Sequence, residues 1–241
     1  YIRKVVDTVN DFDNVLYEIA NESHNRSTEW QYHMITFIHD YERTKPKQHP
    51  VMMTYQWPKG SNAPLFESEA EAVSPGKSEI AYRTDPPAAT GRKVIITDTD
   101  HLWGEGGTPE WVWKSFLRGH NPIFMDRLVQ LTGSPVGDIP SAEQIRVAMG
   151  QTLTYSRRVN LHRMVPRPDL CSNGYCLADP GTEYLVYLPQ GASISVDLES
   201  GGAPYTLEWF DPDTGRTLDG ERVRGGRHEL VAPFKGSAVV Y

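Results

Sequence analysis

Val15-Leu16-Tyr17-Glu18-Ile19-Ala20-Asn21-Glu22 is the stretch whose reading decides the fold. Its apolar run, Val15 to Ala20, is short and contains β-branched and aromatic side chains. Asp11 and Asn14 precede it, and a Ser/His/Asn cluster follows. Such a run reads as a buried parallel strand. The Asn21-Glu22 pair at its C-terminal end stands where α/β barrels place their catalytic groups. A carboxyl there, beside an amide able to hold a sugar hydroxyl, suits a general acid for glycosidic bond cleavage. An acidic residue there equally suits the first turn of a following helix.

Working outward, residues 1–12 read as a helix end with Ile2, Val5, Val6 and Val9 on one face. A helix from about Thr28 to Glu42 carries Trp30, Met34, Phe37, Ile38 and Tyr41 at helical spacing, and Ser27 or Thr28 can cap it. Val51 to Trp57 is a second strand, stopped by Pro58 and Gly60. A loop with a short element around Ala70–Pro75 follows. Lys93 to Asp98 is the clearest strand and runs into Thr99-Asp100-His101-Leu102-Trp103. Helix then runs from Pro109 to about Arg118, strand from Pro122 to Asp126, and helix from Ser141 to about His162 with a Ser141/Gln144 capping box. Strand and helix in alternation predict a parallel sheet of βαβ units. After Pro166 the pattern changes to short strands at 184–188, 193–198, 205–210, 228–231 and 238–241, separated by turn signals such as Asp211-Pro212-Asp213-Thr214-Gly215. That spacing predicts a small antiparallel β-sandwich. The expected domains are therefore 1–165 and 166–241.

Of the 241 residues, 39% are hydrophobic, enough for a packed core. Six Trp and 12 Tyr supply many aromatic surfaces. A net charge of -7 without a Lys/Arg run argues against nucleic acid or an acidic membrane as partner. No apolar stretch approaches the roughly 18 residues of a membrane span. The chain opens on Tyr1-Ile2-Arg3-Lys4, in mid-helix, and reads as a piece of a longer protein. Localisation stays open, with a secreted or periplasmic setting favoured over a cytoplasmic one. Cys171 and Cys176, separated by Ser-Asn-Gly-Tyr, fit a local disulfide or two free thiols better than a zinc site, for which only His162 is near.

Acidic or amide groups end three of the predicted parallel strands: Asn21-Glu22, Asp98 with Asp100, and Asp126. Three such endings in one βαβ series predict an active face where carboxylates converge. Tyr55, Gln56, Trp57, His101 and Trp103 lie near the same ends and offer stacking surfaces and hydrogen bonds for a sugar. Each aromatic taken singly also fits core or lip packing. Asp98-Thr99-Asp100-His101 admits a metal reading, but no second His/Asp cluster with ligand spacing accompanies it, and Glu105 and His120 would have to join through folding. No metal and no cofactor is expected. Gly104, Gly106 and Gly107 lack the Lys-Ser/Thr of a phosphate loop. No Gly-x-Ser-x-Gly elbow supports Ser-His-Asp hydrolysis.

These segments carry a resemblance. Val15 to Glu22, His49-Pro50-Val51-Met52-Met53-Thr54, Val94 to Trp103, and Trp111 to Asp126 resemble the later part of a bacterial glycoside hydrolase-like TIM barrel related to the apiosidase-like enzymes of the large retaining glycosidase clan. Residues from Tyr175-Cys176-Leu177-Ala178 to Tyr241 resemble the collagen-binding-type β-sandwich that often follows such barrels. The resemblance implies an α/β fold: a partial (β/α) TIM-type barrel of about strands four to eight, plus the C-terminal sandwich. It implies Glu22 as acid/base, following Asn21 at the end of strand four. It places the nucleophile at the end of strand seven, on Asp100 or, second, Asp98, where the clan normally has Glu; Glu105 is an outside candidate. Asn21, Tyr55, Trp57, His101 and Trp103 would contact a carbohydrate substrate. A barrel without strands one to three leaves apolar edges and residues such as Leu16, Ile19, Met52 and Ile96 uncovered, so a homo-oligomer, dimer or larger, is expected. Other readings are a non-catalytic carbohydrate-binding or assembly module, or a hydrolase of another bond such as an ester.

Overall fold

The computed structural model describes residues 1–104, 106–125 and 141–241. It is a mixed α/β structure with one parallel and two antiparallel sheets. In chain order the elements are α1 (Ile2–Val9), β1 (Tyr17–Glu18), α2 (Thr28–Glu42), β2 (Val51–Thr54), α3 (Ala63–Glu67), β3 (Ala72–Ser74), α4 (Ala81–Thr84), β4 (Val94–Asp98), α5 (Thr99–Trp103), α6 (Pro109–Leu117), β5 (His120–Ile123) and α7 (Ala142–Arg158). Then come β6 (Val165–Pro166), β7 (Cys176–Asp179), β8 (Glu183–Leu188), β9 (Ser193–Leu198), β10 (Tyr205–Asp211), β11 (Arg216–Val223), β12 (Gly226–Val231) and β13 (Ala238–Val240).

The chain divides into two compact units: residues 1–84, 91–106 and 123–125, and residues 85–90, 107–122 and 126–241. In the parallel sheet the strand order is β1-β2-β3-β4-β5, which among the described residues leaves β1 and β5 as edges. Register sorts its side chains into two faces, because successive side chains alternate. Met53, Val73 and Ile95 align across β2, β3 and β4 and are buried. The row one residue earlier, Met52, Ala72 and Val94, runs from partly buried to buried to 51% exposed. One face is thus sealed and the other is not. Leu16, at 39%, is exposed as expected, whereas Ile19, Met52 and Ile96 are only partly so.

In the second unit a six-stranded antiparallel sheet, β11-β10-β13-β8-β7-β6, and a two-stranded one, β12-β9, share a core that includes Val186, Leu188, Ile194, Val196, Leu207 and Trp209. The division does not follow the expected 165/166 boundary, since α6 and α7 belong to this unit. The reason is aromatic. Fully buried Trp113 of α6 stacks on Tyr187 at 5.7 Å and meets Tyr155 of α7 and Phe210, while Tyr155 meets Phe210 and Tyr241. Such pairs add about 0.5–1.5 kcal/mol each beyond their buried area.

Two helix starts differ from expectation. Ser141 sits in the left-handed region (φ 65°) and makes no side-chain cap bond, and Ser27 turns its hydroxyl back to the His24 carbonyl instead of capping α2. At α6, Pro109 occupies the first turn as expected, with the Thr108 hydroxyl accepting from the Trp111 N–H.

Candidate active site

The site lies wholly in the first unit, at the C-terminal ends of β1, β3 and β4. Parallel pairing of β1 with β2 continues through the Ile19 N–H to the Met52 carbonyl. Thr54 then donates its hydroxyl to the Ala20 carbonyl at 2.9 Å. Two residues on, the backbone of Glu22 takes φ 46°. A non-glycine side chain in the left-handed region costs of order 1 kcal/mol or more and persists only where the surroundings enforce it. Here the Trp57 N–H holds the Ser23 carbonyl at 3.1 Å, fixing the turn just after Glu22.

From the other side, β4 ends at Asp98, whose carboxylate accepts from the Asp100 N–H at 2.9 Å and caps α5. That cap occupies Asp98 and sets Asp100 and His101 on the first turn. Their reach decides the site. A carboxylate oxygen of Glu22, one of Asp100 and a ring nitrogen of His101 all lie within 4.8 Å of one another. Glu22 and Asp100 are partly exposed, and His101 is buried.

His101 is fixed at both nitrogens. Its Nε2 lies 3.2 Å from the Asn21 amide oxygen, and its Nδ1 lies 2.7 Å from the Ser74 hydroxyl. An amide oxygen only accepts, so the Nε2–H donates to Asn21, and Nδ1 shares its hydrogen bond with the Ser74 hydroxyl. The three groups have the donor types of a divalent-ion site, but an ion could use His101 only by displacing Ser74 or Asn21.

The remaining predicted residues divide. Asn21 is exposed at the rim. Tyr55 is buried beneath Gly76 and donates to the Gly60 carbonyl, so it supports the site from below and offers no open stacking face. Burial, then the charge of Glu22, push its hydroxyl pKa up. Gln56 is buried and exchanges hydrogen bonds with Thr28. Trp57 is 44% exposed, with the Lys77 ammonium 3.7 Å from its ring centre; Trp103 lies under the Arg83 guanidinium. Glu105 and Asp126 lie outside the described residues. His120, considered as a possible ligand, belongs to the second unit, where it is buried beside the Pro87 carbonyl with its pKa lowered by burial to about 4.

Sequence reasoning missed Ser74 and the clamp beside it. The Gly76 N–H donates to the Asn62 side chain, whose amide returns a bond to the Gly76 carbonyl. A Cβ on Gly76 would fall 2.1 Å from the Tyr55 ring. Gly76→Ala therefore forces that ring aside, and overpacking of this kind costs typically 1–3 kcal/mol. Urea unfolding followed in the first unit should show a lower midpoint; an unchanged one would mean that the ring yields freely.

No protein-family model and no curated protein matches the chain. Solved structures do. A protein described as a glycoside hydrolase is 12% identical and superposes with a TM-score of 0.63, over 99% of this chain and 66% of that one. A glycoside hydrolase family 5 protein from Bacteroides vulgatus ATCC 8482 is 13% identical, with a TM-score of 0.67 over 99% of this chain and 64% of that one. The chain thus spans just under two thirds of the length of each. At such identity the likeness speaks for the fold alone, and on that ground the chain has a glycoside hydrolase-like fold.

Proposed function

We propose that this protein is a retaining glycoside hydrolase that cleaves a glycosidic bond in a poly- or oligosaccharide. Glu22 serves as acid/base and Asp100 as nucleophile, on a partial (β/α) barrel accompanied by a β-sandwich. The observation that carries the reading is the approach of the Glu22 and Asp100 carboxylate oxygens to within 4.8 Å. Retaining enzymes hold their two carboxyl groups about 5–5.5 Å apart, whereas inverting ones leave about 6.5–9.5 Å for a water. Asp98 is set aside as nucleophile because it caps α5. Asn21, Trp57 and Trp103 remain as the rim that would hold the sugar, and His101 holds Asn21 in place. The glycoside hydrolase-like fold supports the glycosidase reading.

The test is a panel of aryl glycosides, with the product anomer read by NMR at early times. One sugar class should be hydrolysed with retention. Inversion would remove the nucleophile role, and a folded protein inert across the panel, yet binding oligosaccharide, would return the site to a non-catalytic binding role. Hydrolysis of aryl esters alone would point to the other bond class.

We further propose that the chain associates with itself. Leu16, Val94, Ile123 and Met125 of the first unit are each 39–51% exposed, and β1 and β5 are sheet edges. Burial of a large apolar side chain is worth roughly 1.5–3 kcal/mol, and a two-fold dimer is the commonest way to gain it. Light scattering should report a dimer or larger; a stable monomer would contradict this.

A further inference from the structure

Cys171 and Cys176 are both free and both buried in the core of the second unit. They bracket a tight turn in which the Gly174 N–H returns to the Cys171 carbonyl and Gly174 takes φ 78°. The turn returns the chain so that both cysteines lie in the same buried cluster, where the Cys171 thiol donates to the Asn173 side-chain oxygen at 3.2 Å. Their attachments differ. Cys176 opens β7 in the six-stranded sheet. Cys171 forms a bridge to Val196 of β9, in the two-stranded sheet, and the next residue continues it, the Ser172 N–H donating to the Ser195 carbonyl. Short as the sequence separation is, a bond between these sulfurs would join the two sheets.

The thiols are also chemically unequal. Cys171 keeps slight exposure while Cys176 has none. The neighbouring Cys176 thiol, and then the backbone N–H groups of Gly174, Asn173 and Tyr175, hold the Cys171 thiol below its ordinary pKa against the opposing effect of burial. The Cys171 sulfur and burial push Cys176 up. A thiolate is the nucleophile in disulfide exchange, so attack begins at Cys171.

We infer that Cys171 and Cys176 are a dithiol–disulfide pair, an inter-sheet clasp closed by a small disulfide oxidant. With oxidised glutathione, the Cys171 thiolate attacks one sulfur, forming a mixed disulfide and expelling one glutathione thiolate. Cys176 then gives its proton to solvent and attacks the Cys171 sulfur, expelling the second. Two protein thiols and one oxidised glutathione thus yield one protein disulfide and two reduced glutathiones.

The experiment incubates the full chain with oxidised glutathione, alkylates it in denaturant and weighs it. The expected product is lighter by two hydrogens, takes up no alkylating agent, and yields a peptide with residues 171 and 176 joined. Its urea midpoint, followed in the second unit, exceeds that of the reduced chain. Two alkylatable thiols, a lasting glutathione adduct on wild type, or a disulfide between chains would each overturn the inference. So would a joined peptide with no rise in midpoint, since the clasp would then hold nothing. Cys176→Ser should stop at a glutathione adduct on Cys171; if no adduct forms, Cys171 is not the attacking thiol. If that variant does not fold, the wild-type mass and midpoint decide alone.

Discussion

Glu22→Gln should lower turnover about 10²–10⁴-fold on glycosides with poor leaving groups, the usual contribution of general acid catalysis, and far less on activated aryl glycosides. A poor leaving group needs a proton on the glycosidic oxygen as the bond breaks; an activated phenolate departs without one. The substitution keeps the size of the side chain and its place after β1, where the bonds from Thr54 to Ala20 and from Trp57 to Ser23 hold the backbone. It removes the group that gives a proton in the first step and takes one from water in the second, so the contrast between leaving groups is read in kcat/KM, which reports the first step. Equal losses on both substrate types would point to binding or folding, and no loss would take Glu22 out of the role.

Glu42→Ala should cost about 3–5 kcal/mol of stability, the usual result of stripping one partner from a buried ion pair. Glu42 lies at the end of α2 and is 1% exposed. One of its oxygens accepts from Tyr17, Asn10 and the His49 ring, and the other accepts from the His49 N–H at 2.6 Å. The second ring nitrogen of His49 faces the Phe12 carbonyl at 2.7 Å. With acceptors at both nitrogens the ring is held as imidazolium. One carboxylate therefore ties the segment after α1, the start of β1, the end of α2 and the start of β2.

Burial opposes ionisation of Glu42, but the bonds from His49, Tyr17 and Asn10 outweigh it and leave its pKa lowered. The hydrogen bond to Glu42 is the largest cause raising His49. The signs fix the pH window. The lowered carboxyl contributes stability above its ordinary 4.5, lost as pH falls through the folded value. The raised imidazole contributes below its ordinary 6.5, lost as pH rises through its own folded value. The pair contributes most between about pH 4.5 and 6.5, and the Glu42→Ala penalty in urea unfolding should be greatest there. A penalty that does not vary with pH would mean that packing, not charge, holds this corner.

The placement of Glu22 and Asp100 just after strands was legible because strand ends announce themselves: an apolar run stops and a carboxyl follows. The resemblance put Asp100 before Asp98, but the Asp98 cap on α5 was not legible, since it forms only when α5 starts where it does. Ser74 stayed hidden because β3 is three residues long and buried throughout, so it shows no alternation. β7 escaped for the same reason, all four of its residues being buried. β11 escaped for the opposite one: it is a largely exposed edge strand with few apolar side chains. Trp113 was read as part of a helix, but nothing local says that its partners lie on strands some seventy to a hundred residues later.

The most direct test of the central claim is to trap the glycosyl-enzyme. Once the panel has named the sugar, its 2-deoxy-2-fluoro derivative with an activated leaving group should inactivate the protein. The fluorine destabilises the cationic transition states, and the good leaving group lets the first step proceed while the second stalls. Peptide mapping should then find one sugar per chain, esterified to Asp100. A label on Asp98 or elsewhere, or turnover of the natural glycoside with no label formed, would contradict the assignment.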